Sequence, residues 1–213
     1  MFLKKLINSE RSRTMTKLAV LISDAGTGTN LQAIIDAIKN KKLKAKIVLV
    51  VSSLENAYGL QRAKKNNILT KVVDKKDDLE KILKNHQVDL VVLAGWKLII
   101  SQSLINTFKN KVLNLHPGLI PDMMDGVVHN PDDSLGLWNR GKLTNIAIQN
   151  FLDKKATYAG STVHFLSDEF DFGKILNRCF EKILPNDTVE SLYKRLKKKE
   201  NQIYVESLIK LCN

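Results

Sequence analysis

The sequence predicts an α/β protein built on one open, mostly parallel sheet flanked by helices. Two patterns carry that expectation: short β-branched runs alternate with amphipathic stretches through the first half, and those stretches are placed to serve as crossovers between strands. A third observation is composition. The 213 residues, 44% hydrophobic and 26% charged, can bury one substantial core, and nothing in them suggests a second domain.

Taken in order, residues 1–16 form a basic leader, expected to be a poorly ordered extension ahead of a single domain over residues 17–213. The apolar run 18–22 is too short for a signal-peptide core and reads as part of a first strand, 18–23. Further strands are predicted at 45–52, 70–73, 88–94 and 111–115. Between the first two, 30–40 is a helix because Leu31, Ile34, Ile35 and Ile38 fall on one face, and Thr29 followed by Gln32 offers a capping-box start. Residues 56–66, 77–86 and 102–109 supply the other crossovers. In such a sheet, ligands bind beyond the carboxyl ends of the strands. The second half differs. Residues 119–138 are loop-like, with Pro121, Gly126, Pro131 and Gly136 and little periodicity. A helix at 142–154 and strands at 161–166 and 175–183 follow. Asp187 with Glu190 opens a last helix, whose apolar stripe is Val189, Leu192, Leu196, Ile203 and Leu208.

Lysine supplies most of the net charge of +12, but Lys39, Lys41, Lys64, Lys75 and Lys197 are dispersed and no aromatic residues interleave them. A solvated surface is therefore expected rather than a nucleic-acid interface. Cys179 and Cys212 form neither a disulfide framework nor a zinc spacing, and no window reaches transmembrane length. The expected setting is reducing and cytoplasmic, with no membrane partner and no metal.

Chemistry concentrates in three places. Asn114-Leu115-His116-Pro117-Gly118-Leu119-Ile120-Pro121 puts an amide and an imidazole two residues apart, hence on one face, where an apolar strand breaks into a proline-bounded loop. That pair suits chemistry on a carbonyl, where charge must be stabilised and a proton moved; the bland reading is a pair of structural polar groups at a strand end. Ser23-Asp24-Ala25-Gly26-Thr27-Gly28-Thr29-Asn30 joins the first strand to a helix, where free amides attract a phosphate. A dinucleotide fingerprint would need glycine at Leu31 and an acid at Ser52 or Ser53, so a monophosphate held by Gly28, Thr29 and Asn30 fits better, against a turn that merely connects. Finally, Ser161-Thr162-Val163-His164-Phe165 leads into Asp168-Glu169-Phe170-Asp171-Phe172-Gly173. By pattern His164 is as much a hydrogen-bonded core histidine as an active-site one. The acids could be solvated turn formers or the carboxylate that orients an imidazole.

These motifs, with Gly28-Thr29-Asn30-Leu31-Gln32-Ala33-Ile34 and Val92-Leu93-Ala94-Gly95-Trp96 ahead of them and in this order, resemble the phosphoribosylglycinamide formyltransferases, folate-dependent enzymes of purine synthesis. The resemblance spans residues 17–208. It implies a Rossmann-like sheet with an antiparallel C-terminal extension, the formyltransferase fold, and transfer of a formyl group from 10-formyltetrahydrofolate, a co-substrate, to the amine of glycinamide ribonucleotide. It makes Asn114, His116 and Asp171 the catalytic trio and Gly28, Thr29 and Asn30 the phosphate site. Trp96, Lys97, Leu98, Ile99, Ile100 and Asp168 would line the folate pocket, while His129, His164 and Glu200 are further candidate substrate contacts. In the implied chemistry Asn114 and protonated His116 donate to the formyl oxygen as it gains charge, and Asp171 raises the imidazole pKa. No metal is required, and a monomer or homodimer is expected.

The match departs at Gly118, where the family usually has Ser, at Trp96-Lys97-Leu98, where it has a Phe-Met-Arg type of run, and across residues 121–160, which are long and unfamiliar. His129 and Arg140 in that segment could meet an anionic ligand, or the whole could be a surface insertion. The alternatives are a tRNA formyltransferase-like enzyme, a formyltetrahydrofolate hydrolase, or a basic nucleic-acid-binding module without catalysis.

Overall fold

A computed structural model describes residues 15–23, 28–74 and 78–213. The expected leader lies outside it up to residue 14, as do residues 24–27 of the glycine turn and Lys75, Lys76 and Asp77. Chain order is β1 (Thr16–Ile22), α1 (Thr29–Lys39), β2 (Ala45–Ser52), α2 (Tyr58–Lys65), β3 (Thr70–Val72), α3 (Leu79–Asn85), β4 (Leu90–Leu93), α4 (Gln102–Thr107), β5 (Val112–His116), α5 (Thr144–Asp153), β6 (Tyr158–Phe165), β7 (Ile175–Lys182) and α6 (Val189–Cys212). The strands form one sheet in the order β3-β2-β1-β4-β5-β6-β7. Neighbours are parallel from β3 to β5, and β6 and β7 are added antiparallel. The predicted fold class is the observed one.

Alternation along the strands sorts side chains into two cores. Leu18, Val20 and Ile22 of β1, with Leu113 of β5 and Val163 of β6, meet α1 and α6 on one side. Ala19, Leu21, Val91 and Val112 meet Leu83 of α3 and Leu104 of α4 on the other. Burying a large aliphatic side chain contributes about 1.5–3 kcal/mol, so this two-sided burial is what holds helices on both faces. Strand order reverses between β1 and β4, so the crevice rule puts ligands beyond their carboxyl ends. There the Ser23 amide donates to the Gly95 carbonyl at 3.2 Å, and the Lys97 amide donates to Ser23 Oγ at 2.9 Å.

Three local expectations are corrected. Helix α1 is not capped by Thr29 with Gln32: Gly28 is the N-cap in the left-handed region (φ 63) with no side-chain cap, Thr29 is already helical, and Gln32 turns to Asp36 and Arg62. A side-chain cap needs an extended backbone at the capping residue, which a left-handed glycine does not supply. Helix α6 is capped one residue later than expected, by Thr188 with Ser191, because Asp187 is held by Arg195 and the Leu184 amide. And β5 runs one residue further than predicted, so His116 is its last residue rather than the first of the loop.

Candidate active site

Strand pairing assembles the polar cluster. In the β5–β6 register Asn114 lies opposite His164 and His116 opposite Thr162, so all four side chains leave one face of the sheet. Asn114 Nδ2 lies 3.3 Å from His164 Nε2, and His164 Nδ1 lies 3.0 Å from the Phe165 carbonyl. A carbonyl only accepts, so His164 carries its proton on Nδ1 and accepts from the amide at Nε2. Burial holds the His164 pKa down, from 6.5 to about 4, with the nearby His116 adding to the effect. It is a neutral acceptor that fixes which way the Asn114 amide points.

His116 is 2% exposed. Its Nδ1 lies 3.6 Å from Asp171 Oδ2, and its Nε2 lies 2.7 Å from the Trp138 carbonyl. Burial lowers the imidazole pKa, and the Asp171 charge and the Trp138 carbonyl oppose it. Asp171 acts in the expected direction, but desolvation of an almost fully buried ring outweighs one carboxylate that is too far for a direct hydrogen bond. Asp171 itself sits in the left-handed region (φ 49), which turns its carboxylate back onto β5.

At the glycine turn, Asn30 is buried, and among the described residues its Oδ1 and Thr29 Oγ1 have no hydrogen-bond partner. A Cβ on Gly28 would lie 3.2 Å from Gly59 Cα and 3.4 Å from Arg62 Cδ. Close approach of α2 thus demands glycine here and brings Arg62, whose Nη1 donates to Gln32 Oε1 at 2.9 Å, beside the helix start. Sequence reasoning passed over Arg62, which sits in a lysine-rich helix without a local motif to mark it.

The residues of the expected folate site line two cavities rather than one. Trp96, Lys97, Leu98, Ile99 and Ile100, with Val73, Leu79 and Leu104, border one of about 1130 Å³, and Asp168 with Phe172 and Lys174 borders another of about 620 Å³. A Gln102 side-chain hydrogen bond to Asp168 ties the two walls together. Trp96 Nε1 is buried, with no acceptor among the described residues. Glu200 is turned to the opposite side of β6 from His164, the side covered by α1 and α6. There its Oε1 accepts from Ser161 Oγ at 2.7 Å and its Oε2 lies 3.4 Å from Lys197 Nζ. His129 is not directed at the trio: its Nδ1 lies 3.1 Å from the Asp133 carbonyl, inside its own loop. Arg140 binds the acidic turn, donating to the Phe170 carbonyl at 2.9 Å and lying 3.5 Å from Glu169.

Among the described residues no group of three metal-binding side chains converges, and no helix is long and apolar enough to cross a membrane. Residues 16–208 match the family described as formyl transferase. The chain is 35% identical over 213 residues to a phosphoribosylglycinamide formyltransferase of Dictyostelium discoideum, covering 90% of this chain and 95% of that one. It is also 35% identical over 199 residues to the protein of that name from Haemophilus influenzae, covering 89% and 84%. The crystal structure of glycinamide ribonucleotide transformylase 1 from Symbiobacterium toebii superposes with a TM-score of 0.77 at 31% identity, covering 91% of this chain and 86% of that one.

Proposed function

The chain belongs to the formyl transferase family, and we propose that it transfers a formyl group from 10-formyltetrahydrofolate to the amine of glycinamide ribonucleotide, a step of purine synthesis. The observation that carries the reading is the β5–β6 register. It places an oriented amide and a buried imidazole side by side, with a carboxylate turned onto the imidazole.

The residues divide the work. Asn114, held by His164, presents an N–H to the formyl oxygen as charge develops there. His116, neutral at rest because burial depresses its pKa, takes up the proton released by the attacking amine, and Asp171 balances the imidazolium so formed. Gly28, Thr29 and Asn30 offer the N-terminus of α1 to the ribonucleotide phosphate, with Arg62 alongside, and the unpartnered Thr29 Oγ1 and Asn30 Oδ1 suit ribose hydroxyls. Glu200, with Lys197, lies on the sheet side that α1 covers and is assigned to the nucleotide. Trp96, Lys97, Leu98, Ile99 and Ile100 would hold the folate with Asp168. The unpartnered Trp96 indole N–H and the adjoining cavity fit a flat heterocycle rich in acceptors. When bound, that co-substrate supplies the activated formyl group. Two free cysteines agree with a reducing, cytoplasmic compartment.

The deciding experiment follows formyl loss from 10-formyltetrahydrofolate with and without glycinamide ribonucleotide. Turnover that requires the amine is expected. Turnover without it would mean a hydrolase, and none in either case would remove the catalytic reading.

A further inference from the structure

The unfamiliar segment 121–160 closes on the reactive pair through residues 138–141. At one end the Trp138 carbonyl faces His116 Nε2 at 2.7 Å, and at the other the Gly141 amide donates to Asp171 Oδ2 at 2.8 Å. Between them Trp138 Nε1 donates to the Asp171 carbonyl at 3.1 Å, and the Arg140 guanidinium lies 5.1 Å from the centre of the Trp138 ring. Asn139 roots the run. It is buried in the left-handed region (φ 58), donates to the Pro117 and Ala147 carbonyls at 3.2 Å each, and accepts from Asn150 at 2.7 Å. Gly118 makes the approach possible. A Cβ there would intrude on the Trp138 carbonyl group, 2.6 Å from its carbon, and lie 2.9 Å from His116 Nε2.

We propose that Trp138-Asn139-Arg140-Gly141 is a positioning strap that assigns the imidazole nitrogens: the Trp138 carbonyl holds the Nε2 proton of His116, leaving Nδ1, turned to Asp171, as the nitrogen that handles the transferred proton. The activity consequence rests on the formyl-transfer reading; the tautomer rests on the geometry alone. A carbonyl has no proton to give, so Nε2 must be the N–H and the neutral ring has its lone pair at Nδ1. At 3.6 Å the Asp171 oxygen is too far to engage Nδ1 directly, and that oxygen already accepts from Gly141. Nδ1 can then receive the amine proton as the new C–N bond forms and return it to the departing nitrogen as the old C–N bond breaks, with no net proton and no redox partner. Among the described residues, the charged or titratable groups facing His116 are Asp171 from the β6–β7 turn and His164 from β6, whose ring centre is 6.4 Å away. Arg140 of the strap is engaged with Glu169. The carbonyl and the carboxylate together support the imidazolium against burial.

The test is ¹⁵N NMR of the histidines in the full-length protein, joined to kinetics of two variants. In the wild type a protected Nε2–H and an unprotonated Nδ1 are expected for His116. Gly118→Ala displaces the carbonyl, while Asn139→Gly keeps the left-handed backbone but removes three anchoring hydrogen bonds. Both are expected to lose Nε2–H protection and to lower kcat roughly 10- to 100-fold while KM for glycinamide ribonucleotide stays within about 2-fold. An Nδ1–H tautomer in the wild type overturns the proposal, as does unchanged kcat in folded variants whose Nε2–H is lost. If the wild type has no amine-dependent transfer, the formyl-transfer reading fails, and the tautomer measurement still decides the strap.

Discussion

At the residue scale, two histidines on one sheet face have different assignments because their partners differ. His164 bonds a backbone carbonyl and the Asn114 amide, so substitution by Leu removes the acceptor that orients Asn114. We expect His164→Leu to lower kcat about 10-fold, and Asn114→Ala, which deletes the proposed oxyanion donor, to lower it about 100- to 1000-fold. In both, nucleotide binding measured by calorimetry should persist; near-normal turnover by Asn114→Ala would sink its role. For His116 the sign of the pH effect follows from its depressed pKa. As the proposed base, which must be neutral to act, it should keep the acid limb of kcat/KM below pH 6.5. Asp171→Asn removes the charge that raises the pKa, so the limb should move further towards acid while kcat falls. The shared face of Asn114 and His116 was legible in the sequence because strand parity fixes which side chains of one strand point together, whereas His164 stood open between core and site until the β5–β6 register set it opposite Asn114. Arg62 and the Trp138 carbonyl were not. One is a cation among many, and the other is a backbone group whose neighbours depend on how a long loop closes.

At the element scale, α6 ties β4 and β5 together. Its Tyr204 hydroxyl, fully buried, donates to the Leu93 carbonyl of β4 at 2.7 Å, with the Leu113 carbonyl of β5 3.3 Å away. Tyr204→Phe should cost about 1–2 kcal/mol in urea unfolding, since it deletes a buried hydrogen bond with little change of volume. A stability unchanged within error would mean that the hydroxyl does not hold the strands. Loss of the Thr188 cap of the same helix, by Thr188→Ala, should cost about 1 kcal/mol. Element positions were readable because each helix kept one apolar face. The caps were less so: at the start of α6 both Asp187 and Thr188 could cap, and the tertiary partner Arg195, holding Asp187, decided between them.

At the scale of the whole molecule, the sheet must hold two histidines out of water. Unfolded, His164 titrates near 6.5, and folded near 4, so the unfolded chain binds the proton first as pH falls. Stability is therefore fully present above about pH 6.5 and is lost on the way down to about pH 4, by on the order of 3 kcal/mol for His164, and the lowered pKa of His116 acts in the same direction. Urea unfolding at a series of pH values should show the midpoint dropping across that window, and His164→Leu should flatten the drop. A midpoint equally acid-sensitive in that variant would place the effect elsewhere. By itself the sequence determined the α/β class, the parallel half of the sheet, the shared face of Asn114 and His116, and the glycine turn beside a helix. All of these follow from short-range periodicity and turn chemistry. Only the tertiary structure decided the protonation preference of His116, the separation of residues 96–100 from Asp168 into two cavities, and the closing of residues 138–141 over the site. Desolvation and backbone contacts between distant segments exist only once the chain has packed.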